Sequence, residues 1–527
     1  MKNAPCNILK SLLVAGASLP LLAGLGFAAE RQSASAVTIL GNHVERRATL
    51  LAIDDYSLPL KKDLCYYLSK PNVRPEAMIS PSRDNPHSTD TLATHFYGTV
   101  LQDGGKFRMW YYGASWLPKE HKIKEGPICY AESPDGIAWT KPNLGQVEYN
   151  GGSNNNAIAL PDTQTEGAFI IKDERDPDAS RRYKMVYENL PGHKRCMSVR
   201  TATSADGIHW NAGPDSPITE GLEPCSFYQH NGLYYINAQF APFGISEGGH
   251  KGGRQGFVWV SPDFTNWIQE AGESFLLPEP VNPNDRGLDR PGEQVHLGVA
   301  PMGMGNVLVG LYAQWHARPY AGDWFGRATT CADWGLVVSN DGQHFRETVK
   351  GHVFMDRHES STDVSPDVRH EKVLCQGNGI INVGDETRIY HGRWVNSEKL
   401  ENYYADIGLA TLPRDRWGAL GLYPRATEGS VWTAPMTLDK AGCKVTLNAD
   451  GVQGMSVEIA DERFGLLPEY SGANTGVITA KDGLDCAVKW PKAQLDALVG
   501  QTVRLRIHLK KGEHAEPRFY AAYVTCE

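Results

Sequence analysis

ICYAESPDGIAWTKPNLG, running from Ile128 to Gly145, decides the fold because the chain writes it again and again. Val199 to Gly213 is VRTATSADGIHWNAG, Gly256 to Glu270 is GFVWVSPDFTNWIQE, and Trp334 to Thr348 is WGLVVSNDGQHFRET. A more worn copy, DIGLATLPRDRWGAL, spans Asp406 to Leu420. Each copy is an alternating run, then Ser-x-Asp or a variant, then an aromatic residue three or four positions on. Internal repeats at such a period mark solenoid, propeller or array architectures.

Working outward, each copy follows a second recurrent strand: KFRMWYYG (Lys106 to Gly113), RYKMVYEN (Arg182 to Asn189), GLYYINAQ (Gly232 to Gln239), NVLVGLYA (Asn306 to Ala313) and TRIYHGRW (Thr387 to Trp394). Before each of those stands a further short candidate: HFYGTVL, AFIIKD, CSFYQH, VHLGVAP and GIINVG. Period-two alternation with Gly, Asp and Asn at the turns is the antiparallel strand signature. Four strands per unit, repeated radially five times, predict a β-propeller. The Asp-Gly pair supplies the turn between third and fourth strands, because glycine tolerates positive φ. Those aspartates are therefore turn formers, and the aromatic residues after them (Trp139, Trp210, Trp267, Phe345, Trp417) are expected to pack between blades.

After about Thr427 the blade motif stops. VWTAPMTL, CKVTLNAD, MSVEIADE, GVITA, CAVKW, TVRLRIHLK and RFYAAYVT are alternating strands with hairpin spacing, which predicts a β-sandwich of about 100 residues. The expected fold is all-β, a five-bladed β-propeller followed by a C-terminal β-sandwich. Residues 1–29 are read as a signal peptide, 30–89 as a segment packing on the propeller, 90–426 as the propeller and 427–527 as the sandwich.

Bulk numbers agree with this class. The chain has 527 residues, 41% hydrophobic and 21% charged, which suits a soluble globular protein of two or three domains. A net charge of -9 with no basic run argues against nucleic acid as a partner. Lys2 and Lys10 precede the apolar run SLLVAGASLPLLAGLGFAA, which closes on Ala28 and Ala29; this is a secretory signal pattern. Periplasmic or secreted localisation follows, with no membrane attachment after cleavage. Ten cysteines are present, and removal of Cys6 leaves an odd number without zinc-site spacing. Cys443 with Cys486 or Cys526 is the set expected to form a disulfide.

Five blades followed by a sandwich resembles the furanosidase-type glycoside hydrolases, the β-fructosidases with their arabinanase and xylosidase relatives. LNADGVQGMSVEIAD, CAVKW, LVGQTVRLRIHLKKG and RFYAAYV are similar to the sandwich appended to β-fructosidases. LLAIDDYSLPL, GKFRMWYYG and SPDGIAWTKPNLGQVEYNGGSNNN look like an exported bacterial group described as glycosyl hydrolase family 32-like. The β-fructosidase motifs themselves are absent. NPHSTDTLATHFYG (Asn85 to Gly98) stands where a WMNDPNG-like motif would, Arg175 to Pro177 reads as a turn in blade two, and Glu223 to Cys225 is EPC, with a proline inserted.

In a propeller the innermost strands line the central channel, so residues at their starts point into one mouth. In blade order these are Asp90 with His95, Glu166, Glu223, Glu293 with His296, and Gln376 with Asn378. Glycoside hydrolysis needs one carboxylic acid to protonate the leaving oxygen and one carboxylate to attack or to activate water. The resemblance implies a nucleophile or base from blade one, a stabiliser from blade two and an acid from blade three, which by position are Asp90, Glu166 and Glu223. Arg290, Glu293, His296, Trp315, His316 and His95 are the expected substrate contacts, with Trp324 a further sugar platform. No metal ligands are assigned, and His358 to His370 reads as a solvated loop. No cofactor is expected, although a channel-bound cation such as calcium is compatible with the resemblance. The resulting expectation is an exported glycosidase, exo-acting on non-reducing ends of a plant or algal poly- or oligosaccharide. Two other readings stay open: a phosphorylase or lyase on the same fold, and a non-catalytic carbohydrate-binding propeller whose acids are scattered by more than about 10 Å.

Overall fold

The computed structural model describes residues 35–162, 164–189, 198–213, 218, 223–240, 255–277, 294–316, 331–360, 372–395, 400–512 and 516–527. Five antiparallel units follow one another along the chain. Blade one is Ala93–Asp103, Lys106–Leu117 and Lys122–Ser133, with a single bridge from Glu132 to Thr140 where a fourth strand would lie. Blade two is Thr165–Lys172, Tyr183–Asn189, Ser198–Ser204 and Asn211–Ala212; blade three is Glu223–His230, Leu233–Phe240, Gln255–Ser261 and Gly272–Phe275. Blade four is Gln294–Gly303, Leu308–His316, Cys331–Ser339 and Arg346–Glu347. The predicted five-bladed, all-β architecture is present.

The repeated motif is a turn, for a reason visible atom by atom. In blade one the Asp135 carboxylate accepts from the backbone N–H groups of Ile137 and Ala138, both at 2.8 Å, while Ser133 Oγ accepts from Gly136 N–H. Asp206 with Ser204, Asp263 with Ser261, and Asp341 with Ser339 repeat the arrangement. The turn also joins blades, because its buried glycine carbonyl accepts from an aromatic donor of the preceding blade. Tyr390 donates to Gly136, Trp110 to Gly207, and Tyr228 to Gly342. Trp139 packs edge-on against Tyr390, as expected of an inter-blade aromatic.

The fifth copy departs from the pattern because the chain leaves the propeller there. Asp415 accepts from Asn382 and from Tyr523, a residue of the sandwich strand Arg518–Cys526. Gly418–Leu422, read from sequence as the end of blade five, pairs instead with Leu64–Leu68 and with Arg518–Cys526. Blade five is completed from the other end of the chain: Asn72–Val73 pairs with Tyr404–Pro413, outside Glu386–Val395. An outer strand drawn from before blade one closes the ring without leaving an open edge.

The second sheet system has fourteen strands and mixes both ends of the sequence. Val37–Ile39, Asn42–Val44, Arg47–Leu51, Leu60–Lys62 and Leu64–Leu68 join strands running from Gly418 to Cys526. Its core is Leu50, Val431, Leu447, Val457, Ile459, Ile507 and Phe519, all fully buried. The expected disulfide is Cys443–Cys526, between directly opposed residues, and Cys486 stays a buried thiol.

Each inner strand of the propeller breaks register shortly after it begins. The irregularity falls between His95 and Thr99, Glu166 and Phe169, Pro224 and Ser226, and His296 and Val299. In blade five it splits the strand into Lys372–Cys375 and Ile380–Val383, both paired with Glu386–Val395. Beyond these bulges the axis is bridged. Asn378 exchanges backbone hydrogen bonds with Gly98 and Val100 of blade one, and its side chain donates to Phe227 O of blade three. Thr99 bonds Ala168 of blade two, and Ser226 bonds Val299 of blade four. The mouth ahead of the bulges therefore has a floor.

Candidate active site

Four glutamates gather at that mouth. Glu166, early in the inner strand of blade two, lies directly opposite Glu188 on the second strand. Glu223 opens the inner strand of blade three opposite Gln239, whose amide donates to it. One carboxylate oxygen from each of Glu166, Glu188 and Glu223 lies within 4.8 Å of the others. Glu125, next to the cis Gly126–Pro127 bond of blade one, is the acid whose charge acts most strongly on Glu166. Glu188 is buried, and its Oε1 has no hydrogen-bond partner among the described residues. Glu125, Glu166 and Glu223 are partly exposed.

Electrostatics follow from this crowding. Burial, then the charge and hydrogen bond of Glu125, then the charges of Glu188 and Glu223 hold Glu166 well above the usual carboxylate range. Burial and the charges of Glu223 and Glu125 do the same to Glu188. Like charges this close do not all ionise together in a desolvated place.

An aromatic floor adjoins the acids. His95 stacks on Tyr112 at 4.5 Å between ring centroids and lies edge-on to Trp394 at 5.1 Å. Tyr403 OH pairs with His95 Nε2 at 3.0 Å, and Tyr97 OH with His296 Nε2 at 2.9 Å. Trp394 contacts His95, Tyr97, His296 and Tyr403. The charges of Glu166 and Glu125 act on Tyr112, and those of Cys375 and Glu223 on Tyr97, each after burial. Burial pushes His95 down to about 3, so it is a neutral imidazole.

Of the expected catalytic trio, Glu166 and Glu223 converge and Asp90 does not join them. Asp90 lies in the loop ahead of Ala93–Asp103 and is fully buried. Its carboxylate accepts from Ser88 Oγ at 2.7 Å, Tyr111 OH at 2.8 Å and Lys141 Nζ at 2.6 Å. Burial pushes its pKa up, but Lys141 and the Ser88 hydrogen bond outweigh burial and leave it lowered. Asp90 is a structural ion, and the expectation that it attacks substrate is corrected on that ground. The blade-one residue at the mouth is His95, five positions further on.

His296 and His95 are buried in the floor. Trp315 and His316 end the strand Leu308–His316, but their side chains lie outside the described residues, as do Arg290, Glu293 and Trp324. Gln376 and Asn378 belong to the floor: Gln376 donates to His296 O and Gly298 O. Sequence reasoning missed Glu188, Glu125, Tyr97, Tyr112, Trp394 and Tyr403. A usable signal for Glu188 was an acid ending the apolar strand of RYKMVYEN, on the residue that antiparallel pairing sets against Glu166.

No family model matches the chain. Uncharacterised proteins from two strains of Mycobacterium tuberculosis, H37Rv and CDC 1551, are each 30% identical over 151 residues, which is 27% of this chain. The chain spans 44% of the length of these curated relatives. Among solved structures, one described as a family 130 mannoside phosphorylase group containing glycoside hydrolases of β-1,2 mannosidic linkages in Candida mannan shows 14% identity. It covers 66% of this chain and 94% of its own, with a TM-score of 0.41. A family 117 glycoside hydrolase of Zobellia galactanivorans shows 13% identity, covers 67% and 91%, and has a TM-score of 0.37. A Bombyx mori family 32 β-fructofuranosidase shows 10% identity, covers 87% and 94%, and has a TM-score of 0.38. Likenesses this distant add nothing to the chemistry of the mouth, which rests on the chain's own residues. Among the described residues, no helix is long and apolar enough to cross a membrane.

Proposed function

We propose that the chain is an exported glycoside hydrolase that trims non-reducing ends of a plant or algal poly- or oligosaccharide, with Glu166 and Glu223 as its working pair. The observation that carries this reading is the convergence of the two partly exposed carboxylates, with Glu188 behind them, at a floored propeller mouth. Burial and the neighbouring acids hold Glu166 well above the usual carboxylate range, so Glu166 is the acid that protonates the departing glycosidic oxygen. Glu223 accepts from the Gln239 amide, which orients its carboxylate, so it attacks the anomeric carbon as the C–O bond breaks. Water then releases the sugar, with Glu166 taking the proton back. Carboxyl groups about 5 Å apart fit retention, whereas inversion needs roughly 6.5–9.5 Å. Among the described residues the axis is bridged behind the mouth, which supports attack on a chain end. Trp394, at the centre of the aromatic floor, offers a sugar face a platform.

The test is a panel of aryl furanosides, aryl pyranosides and algal oligosaccharides, with and without phosphate. Phosphate-independent turnover with retained anomeric configuration is expected by proton NMR. Glu166→Gln and Glu223→Gln should each cut kcat by about 10²–10⁴-fold, the usual worth of a positioned proton donor or base. Wild-type rates in both variants would remove the assignment, and strict phosphate dependence would move it to a phosphorylase.

A further inference from the structure

A set of converging carboxylates can be neutralised by protons or by a cation, and one feature of the mouth favours a place for the second. Glu188 is 1% exposed, yet its Oε1 meets no donor among the described residues. A buried carboxylate oxygen left without a donor costs stability unless something positive reaches it. Ser88, Tyr111 and Lys141 provide that something for Asp90, and backbone N–H groups provide it for the turn aspartates. At Glu188 the charges that act are further acids, Glu223 and Glu125, and Glu166 stands opposite it in register.

We propose that Glu166, Glu188 and Glu223 form a divalent-cation site of calcium type. Their three oxygens lie within 4.8 Å of one another. Two ligands on opposite sides of a Ca²⁺ ion stand about 4.6–5.2 Å apart, twice its usual oxygen distance, so one ion in their midst reaches all three. Three carboxylates, mono- or bidentate, provide three to six hard oxygens, and two of the glutamates are open enough to let water complete the shell. Mg²⁺ is shorter-bonded, holds its water tightly and seldom accepts a cage made by protein carboxylates alone, so calcium is the better match. The site lies between blades two and three. It is distinct from the propeller axis, which Asn378 bridges with Gly98, Val100 and Phe227. Pairing fixes its geometry: Glu166 and Glu188 face each other across one strand pair, and Glu223 begins the next blade's inner strand.

Because Glu166 and Glu223 also serve the glycosidase reading, the ion and the reacting sugar would occupy this site in turn; binding is measured with no sugar present, so that failure of one reading is separate from failure of the other. The full chain, stripped with chelator, is titrated with calcium chloride by calorimetry and by thermal unfolding. One calcium per chain is expected, with a dissociation constant at or below about 10⁻³ M, together with a rise in Tm. Magnesium chloride at the same concentration is expected to raise Tm less. Glu188→Gln should weaken calcium binding by at least about ten-fold. If that variant does not fold, Glu166→Gln and Glu223→Gln, at partly exposed positions, serve the same purpose. Failure of the stripped wild-type chain to bind calcium at millimolar concentration overturns the proposal, as does unchanged affinity in the glutamine variants. A magnesium shift equal to or larger than that of calcium overturns the choice of ion.

Discussion

Asp90 and Glu188 are both buried acids of the propeller, within reach of inner strands, and they have opposite fates. Asp90 is surrounded by donors: a lysine ammonium, a phenol and a serine hydroxyl. Glu188 is surrounded by acids, and one of its oxygens is bonded to nothing among the described residues. The first keeps its charge and is finished as structure. The second is held in a state that invites a proton, a cation or a substrate group. Burial alone does not tell a functional acid from a structural one; what its oxygens already hold does.

The comparison breaks most visibly by removing each acid in turn. Asp90→Ala leaves Lys141 facing an acid-free pocket, and removal of one partner from a buried pair costs about 3–5 kcal/mol. Lys141 keeps about a fifth of its side chain in solvent, which places the expected loss toward the lower end. Glu188→Gln removes a repelled acid and keeps its shape, so in chelator at neutral pH its stability should equal or exceed that of the wild type. Urea unfolding of the two variants checks both signs. A stable Asp90→Ala, or a strongly destabilised Glu188→Gln, would mean that the two environments have been assigned the wrong way round.

Two histidines sharpen the point with bases in place of acids. His95, beside the glutamates, and His391, in blade five, are both pushed to about 3, His95 by burial and His391 by burial followed by the Arg393 charge. Their folded pKa values lie below the unfolded value of about 6.5, so the unfolded chain takes up protons first. The stability they contribute is present above pH 6.5 and is lost as pH falls toward 3, by up to about 1.4 kcal/mol per pH unit for each histidine. Between pH 6 and 4.5 the raised Glu166 and Glu188 act in the opposite sense, since the fold takes up protons there before the unfolded chain does, so the histidine part is read by difference. In urea unfolding, His391→Gln should lower the slope of stability against pH by about one proton relative to the wild type. An unchanged slope would show that His391 is charged in the fold.

What could be read from sequence divides along the same line. The blades were legible because each repeats the same local physics: period-two alternation, then an aspartate whose carboxylate caps two backbone N–H groups. The outer strand of blade five was not, since Asn72–Val73 meets Tyr404–Pro413 only through ring closure, and no local pattern announces a pairing across more than 300 positions. At the mouth, Glu166 and Glu223 were legible from the start of their strands. Asp90 was misplaced because an acid in the loop before blade one resembles an acid at its strand. Lys141, which settles the matter, comes 51 residues later. Glu188 sits at the far end of a second strand, where only the register of the pair gives it a role.

The smallest effect tests the finest division, between two neighbouring tyrosines. Successive residues of a strand point to opposite faces, and Tyr111 and Tyr112 of blade one each serve one of the two acids compared above. Tyr111 OH donates to Asp90 at 2.8 Å and accepts from Asn156 Nδ2 at 2.8 Å. Tyr112 faces the other way, stacked on His95 and acted on by the charges of Glu166 and Glu125. Tyr111→Phe removes one donor from Asp90, but Lys141 and Ser88 remain, and Asn156 still donates to Tyr130 O. The expected cost is that of one net hydrogen bond, about 1 kcal/mol in urea unfolding. Turnover and calcium affinity should be unchanged, because nothing on the Tyr111 face touches the glutamates. If Tyr111→Phe instead altered either one while leaving stability intact, the Asp90 knot and the carboxylate mouth would be one coupled network, and the distinction between a finished acid and an unfinished one would fail at this strand.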